Sequence, residues 1–184
     1  MKEVLKITGV LTSICIICVF LLSFVYGIAV EKIEINKQKR VEDAIINLAP
    51  NAEKIEKVKI DNETIYNLFN NKGEIFGYAF IAEGQGYQGK IKMLSVIDVS
   101  LKKLHGIEVV ESIETPGLGA KIKDDPFKTQ FININISKDI ECLKDDPKND
   151  NQIKSITGAT VSSRAVTNIL NKKINIIKNL VNKK

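Results

Sequence analysis

Hydrophobic and polar positions fall along the chain in three regimes. From Ile7 to Val30 the sequence ITGVLTSICIICVFLLSFVYGIAV carries no charge over twenty-four positions. At 1.5 Å per residue such a helix crosses a hydrocarbon core of about 30 Å. Lys2, Glu3 and Lys6 precede it, and Glu31 and Lys32 close it. A polar stretch follows, EKIEINKQKRVEDAIINL, in which Ile35, Val41, Ala44, Ile45 and Leu48 hold a helical stripe that Pro50 ends. Beyond Asn51 the pattern changes to short runs of β-branched and aromatic residues. TIYNLF, EIFGYAFIAE, KIKMLSVIDVS and KLHGIEVVES, separated by NKG, GQGYQG and LKK turns, predict an antiparallel meander. The segment DDPFKTQF predicts a short helix with Asp125 as cap and Pro126 at its first position. A second Asp-Asp-Pro, Asp145 to Pro147, opens a polar loop up to Ile153. Finally Val161, Ala165, Ile169, Leu170, Ile174, Ile177 and Val181 recur at helical spacing and predict a helix of roughly twenty residues from near Thr160. The fold class is α+β: a tail and single transmembrane helix over 1–30, a helical extension over 31–50, and one domain over 51–184 with an antiparallel sheet and flanking helices.

Two features of the first segment decide between an anchor and a cleaved leader. Gly27-Ile28-Ala29 has the small-x-small form of a cleavage site, but the apolar run is longer than the roughly 7–15 residues of a signal core, which favours a retained anchor. Neither Cys15 nor Cys18 follows a small residue, which argues against a lipoprotein attachment site. Charge leaves the orientation open: Lys32, Lys37, Lys39 and Arg40 outnumber Lys2 and Lys6, yet the positive-inside rule weakens when a long domain follows.

Composition adds exclusions. The net charge of +5 and pI near 9.0 go with scattered cations and an aromatic content of 6%, which excludes a nucleic-acid partner. Lys172, Lys173, Lys178, Lys183 and Lys184 suit the solvated face and negative end of the last helix. Cys15 and Cys18 share a helix face, but a closed metal site wants four ligands and none lie nearby; they are ordinary apolar cysteines. Cys142 is alone in the soluble part, and His105, the single histidine, is expected on a surface turn.

Two short stretches carry candidate chemistry. SITGATVSSR, Ser155 to Arg164, crowds five hydroxyls and a glycine ahead of the last helix. Helix capping accounts for one or two of them. Gly158 and Ala159 leave the Thr160 hydroxyl uncrowded at the positive end of a helix, which is also a seat for a phosphate. In ESIETPGLGAKI, Glu111 to Ile122, Pro116 and Gly117 form a turn and Gly119 permits a close backbone approach; the loop is either a hairpin tip or a wall against a flat ligand.

GYQGKI at Gly86 to Ile91, ETPGLGAKI at Glu114 to Ile122 and ITGATVSS at Ile156 to Ser163, in this order after one membrane helix, together resemble the G component of the Rnf ion-translocating electron transport complex. The resemblance spans the chain. It implies a flavin-binding domain shared with the C component of the sodium-translocating NADH:quinone reductase, and FMN joined by a phosphoester to a threonine hydroxyl. By position that threonine is Thr160. A separate flavin transferase installs the group from FAD, so no His or Asp activating partner is needed within this chain. The resemblance further implies that the N–H groups of Val161, Ser162 and Ser163 and the serine hydroxyls donate to the phosphate, that the loop around Thr115, Leu118 and Gly119 borders the isoalloxazine ring, that Thr157, Gly158, Ala159 and Glu114 belong to the same cofactor site, and that no metal is involved.

On that reading the protein is a covalently flavinylated electron carrier of a cell membrane complex, with its C-terminal domain outside the cytoplasm, passing electrons between a low-potential donor and NAD while Na⁺ or H⁺ moves. The alternatives are the corresponding flavin-carrying component of the quinone reductase and a non-redox single-pass domain that binds a ligand or partner. Two positions depart from the family pattern: Lys154 stands where an acidic residue usually precedes the attachment turn, with Asp150 nearby, and Ser112 stands where a histidine often precedes the Glu of ETPGLG.

Overall fold

A computed structural model describes residues 1–182, so Lys183 and Lys184 of the basic tail lie outside the described residues. The first helix, α1, runs Lys2–Leu48. The chain divides into two compact units, Met1–Arg40 and a second beginning at Val41. In the first, Lys2–Val30 has a mean hydropathy of 2.6 and none of it is buried. It is long and apolar enough to span a bilayer and fits a membrane anchor.

The second unit is built on a six-stranded antiparallel sheet in sequential order: β1 (Lys54–Ile60), β2 (Glu63–Phe69), β3 (Ile75–Gln85), β4 (Lys90–Asp98), β5 (Lys103–Ser112) and β6 (Ile134–Asn135). A short parallel pair, β7 (Glu141–Leu143) and β8 (Gln152–Lys154), stands apart from it. Between β5 and β6 lie a 3-10 turn at Gly119–Lys123 and the single-turn helix α2 (Asp125–Lys128). The last helix, α3, runs Thr160–Asn182.

Both faces of the sheet are covered. Successive strand residues point to opposite faces, and Ala79 and Phe80 accordingly belong to different cores. Phe80, Ala82, Met93, Ile97, Leu104 and Ile107 pack with Val166, Leu170, Ile174 and Ile177 of α3. On the other face Leu68, Ala79, Leu94 and Val96 pack with Val41, Ala44 and Ile45 at the end of α1. This is why Met93 to Ile97 in β4 are buried without interruption rather than alternating.

Four sequence expectations need correction. His105 lies within β5, half-buried, with its ring edge-on to Phe76 at 6.5 Å between centroids, and not on a surface turn. The turn ends before it because Asp98 accepts the Lys102 and Lys103 N–H groups, at 2.9 and 2.8 Å. The cap of α2 is Asp124, with Asp125 inside the helix, because the Lys128 N–H reaches back to the Asp124 carbonyl. Val161, expected in the apolar stripe of α3, is 57% exposed, and Val166 takes the core position instead. The stripe starts a turn later because the first turn of α3 faces a cavity. Strands β1, β6, β7 and β8 were not anticipated.

Candidate functional site

Two tight turns of the same construction wall a cavity at the start of α3. In the first, the Leu118 N–H donates to the Thr115 carbonyl at 3.2 Å, with Pro116 at the second position and Gly117 at φ +76° at the third. In the second, the Ala159 N–H donates to the Ile156 carbonyl at 2.9 Å, with Gly158 at φ +81° at the third position. A positive φ at that position is what a type II turn needs, and glycine adopts it without the steric cost that a Cβ brings. The expected Thr-Pro-Gly turn is therefore present, and the Ile156–Ala159 stretch repeats it.

The segment leading into the second turn is tethered. The Ser155 N–H donates to the Leu143 carbonyl at 2.7 Å, and Gln130 both accepts from the Lys154 N–H at 2.7 Å and donates to its carbonyl at 3.2 Å. Lys154 Nζ pairs with Asp146 at 2.7 Å, a hydrogen bond and charge that hold the ammonium above the usual lysine range. Asp150 is engaged elsewhere, accepting from Asn135 Nδ2 at 2.9 Å.

The cavity has a volume of about 410 Å³ and is lined by Tyr87, Thr115, Leu118, Gly119, Gly158, Ala159, Thr160, Val161 and Ser162. That volume lies within the roughly 300–1,000 Å³ range of small-molecule sites. Among the described residues no hydrogen bond uses the Thr160 hydroxyl, and the first intrahelical bond of α3 is made by the Ser163 N–H to the Ala159 carbonyl at 3.0 Å. The N–H groups of Thr160, Val161 and Ser162 therefore point from the helix end without an intrahelical acceptor. Tyr87, Leu118 and Val161 are 68%, 47% and 57% exposed at the rim and give the cavity apolar walls.

Most of the site residues expected from the sequence meet here, but not all. Thr157 faces a neighbouring cavity with Lys121, Pro126, Phe127 and Lys154. Ser163 is fully buried, its hydroxyl donating to the Ala159 carbonyl and accepting from the Ile156 N–H, both at 3.0 Å. Ser162 lines the cavity but its hydroxyl donates to Glu114 Oε2 at 2.6 Å. The serine hydroxyls expected as donors to a phosphate are thus committed within the protein. Glu114 is buried one layer behind the lining. Ser112, where the resemblance expects a histidine, has a buried hydroxyl without a partner among the described residues. Tyr87 was missed: the sequence offers it only as an aromatic in a glycine turn, and it is the turn that brings it to the rim.

The donor set fits FMN. A free hydroxyl and three N–H groups suit a phosphate, and the apolar rim suits an aromatic ring. Among the described residues no group of three or more potential metal ligands occurs.

Comparison with known proteins agrees with this geometry. Residues 86–175 match the family described as FMN-binding domain. The chain is 27% identical over 184 residues to the G component of the ion-translocating oxidoreductase complex of Methanosarcina acetivorans, covering 96% of this chain and 95% of that one. It is 31% identical over 167 residues to the G component of the proton-translocating ferredoxin:NAD(+) oxidoreductase complex of Clostridium ljungdahlii, covering 90% and 87%. The fold resembles the crystal structure of Shewanella oneidensis NqrC, with a TM-score of 0.60 at 16% identity over 73% of this chain and 71% of that one. The cavity between the two type II turns and the near end-to-end likeness to these relatives lead to one conclusion: the chain belongs to the family of G components of ion-translocating oxidoreductase complexes.

Proposed function

We propose that this chain is the membrane-anchored, FMN-carrying electron-transfer component of an ion-translocating ferredoxin:NAD oxidoreductase complex, with the flavin joined by a phosphoester to Thr160 Oγ1. The observation that carries this reading is the Thr160 hydroxyl, uncommitted at the mouth of the cavity while Ser162 and Ser163 beside it are tied inward. Attachment would form the Oγ1–P bond as the pyrophosphate bond of FAD breaks, with AMP leaving and the hydroxyl proton passing to the flavin transferase. The chain supplies only an accessible nucleophile, held on a tethered turn.

Once attached, FMN supplies one- and two-electron redox chemistry. The residues of this chain do the rest. The N–H groups at the start of α3 would donate to the phosphate oxygens, at the positive end of the helix dipole. Leu118 and Tyr87, on separate turns at the rim, would offer the ring apolar contact. The anchor Lys2–Val30 keeps the carrier beside its membrane partners, with the domain outside the cytoplasm. Lys154, in place of an acidic residue, pairs locally with Asp146.

Co-expression with a flavin transferase tests the reading. The purified full chain should keep its yellow absorbance through denaturation and gel filtration. Colourless protein, or flavin lost on denaturation, would refute covalent attachment.

A further inference from the structure

The least explained group near the site is a buried carboxylate. Glu114 is 6% exposed, and among the described residues no cation pairs with it. Its Oε2 accepts the Ser162 hydroxyl at 2.6 Å, and its Oε1 accepts the Gln88 N–H at 3.1 Å and, more weakly, the Gly89 N–H at 3.5 Å. An ionised carboxylate is acceptor-only, and each of these neighbours presents a donor. Two glycines make room for it. A Cβ on Gly86 would collide with Oε1, and one on Gly119 would lie 2.5 Å from Oε2.

These contacts join three segments distant in sequence: the 86–89 turn that carries Tyr87, the Glu114–Gly119 loop that carries Leu118, and the first turn of α3 that carries Thr160. A buried charge without a cation is unfavourable unless hydrogen bonds and dipoles offset it. Here the donors and the positive end of α3 offset it. A glutamine would fill the same space and accept the same backbone N–H groups, so hydrogen bonding alone does not account for a charged residue.

We propose that Glu114 is a positioning residue that locks the two cavity walls onto the first turn of α3 and sets a fixed negative charge directly beneath the cofactor site, lowering the midpoint potential of the bound flavin. This rests on the reading of the cavity as the FMN site. Reduction adds negative charge to the flavin, and a carboxylate one layer away in a dry setting disfavours that addition. The effect is electrostatic, so it disappears with the charge even where the shape is kept.

Two variants of the full chain separate shape from charge. Glu114→Gln keeps the volume and the backbone acceptor; flavin attachment should match the unmodified chain while the midpoint potential, measured by spectroelectrochemistry, moves to more positive values. Glu114→Ala removes the clamp; in protein produced without the transferase, hydrogen exchange at the hydrogen-bonded N–H groups of Gln88, Ala159 and Ser163 should speed up at least tenfold while β4 stays protected. An unchanged potential in Glu114→Gln overturns the electrostatic role, and unchanged exchange at Gln88, Ala159 and Ser163 in Glu114→Ala overturns the clamp. Absence of attached flavin from the unmodified chain would instead count against the FMN reading, and the exchange experiment still decides the clamp.

Discussion

Leu118 leans over Gly158: a Cβ built on Gly158 would lie 3.3 Å from Leu118 Cδ2. The two type II turns therefore touch at their tips, and each constrains which residue the other can hold.

Gly158 is doubly restricted, by its φ of +81° and by Leu118. A left-handed conformation costs an alanine roughly 1–2 kcal/mol. Gly158→Ala should lower unfolding free energy by that amount and reduce flavin attachment, because the turn presenting Thr160 shifts. Gly158→Asn should recover part of both, since Asn visits this region more readily. Denaturant unfolding and flavin fluorescence on a denaturing gel measure the two effects.

Leu118 is itself 47% exposed, so Leu118→Ala should change stability by less than about 0.5 kcal/mol. On the proposed attachment at Thr160, flavin loading should be unaffected. Loss of an apolar wall admits water to the ring and should shift the flavin midpoint potential. An unchanged potential with unchanged stability would remove Leu118 from the site.

Asp98 organises the turn between β4 and β5. Burial pushes its carboxyl up, but hydrogen bonds from the Ser100 hydroxyl and the Lys103 and Lys102 N–H groups outweigh burial and bring it below its ordinary 3.8. A folded-state pKa below the unfolded one gives stability that is present above the unfolded value and lost as pH falls through the folded one. Asp98→Ala should cost about 2 kcal/mol at neutral pH from lost hydrogen bonds, and the gap to the unmodified chain should close on acidification below 3.8. Chemical unfolding across an acid series checks this. A gap that stays constant would contradict it.

The orientation of the domain is testable at Asn149, an exposed residue whose side chain makes no hydrogen bond among the described residues. Cys142 is half-buried, and burial pushes its thiol up despite Arg164 nearby, so it reacts slowly. In a Cys142→Ser background, Asn149→Cys should be labelled by an impermeant thiol reagent on intact cells. Labelling only after lysis would place the domain inside.

Strands β2 to β5 were legible because each carries enough β-branched and aromatic residues to mark a strand on its own. Strand β1, KIEKVKI, was not: it is the sheet edge, lysine and glutamate alternate irregularly through it, and only Ile55, Val58 and Ile60 are partly covered. Strands β6 to β8 are two or three residues long and exist through their pairing, which local sequence does not encode. At the site, the motif order located the stretch that lines the cavity at the start of α3 and the Pro116-Gly117 turn. Which hydroxyls face inward was not legible, because Thr160 and Ser162 differ only in their angle around α3, and that angle is fixed by Glu114 and the sheet. Tyr87 was hidden for the same reason: its place at the rim depends on how the 86–89 turn is held against Glu114.

The central claim is that Thr160 Oγ1 carries the flavin. Intact-mass measurement of the full chain and of Thr160→Val, both co-expressed with a flavin transferase, tests it most directly, because valine keeps the volume and the β-branch and removes only the ester oxygen. The unmodified chain should gain the mass of one FMN less water, and Thr160→Val should gain nothing while unfolding at the same denaturant concentration. The same mass gain in Thr160→Val would contradict the assignment and move the attachment to another hydroxyl, with exposed Thr157 the first to examine.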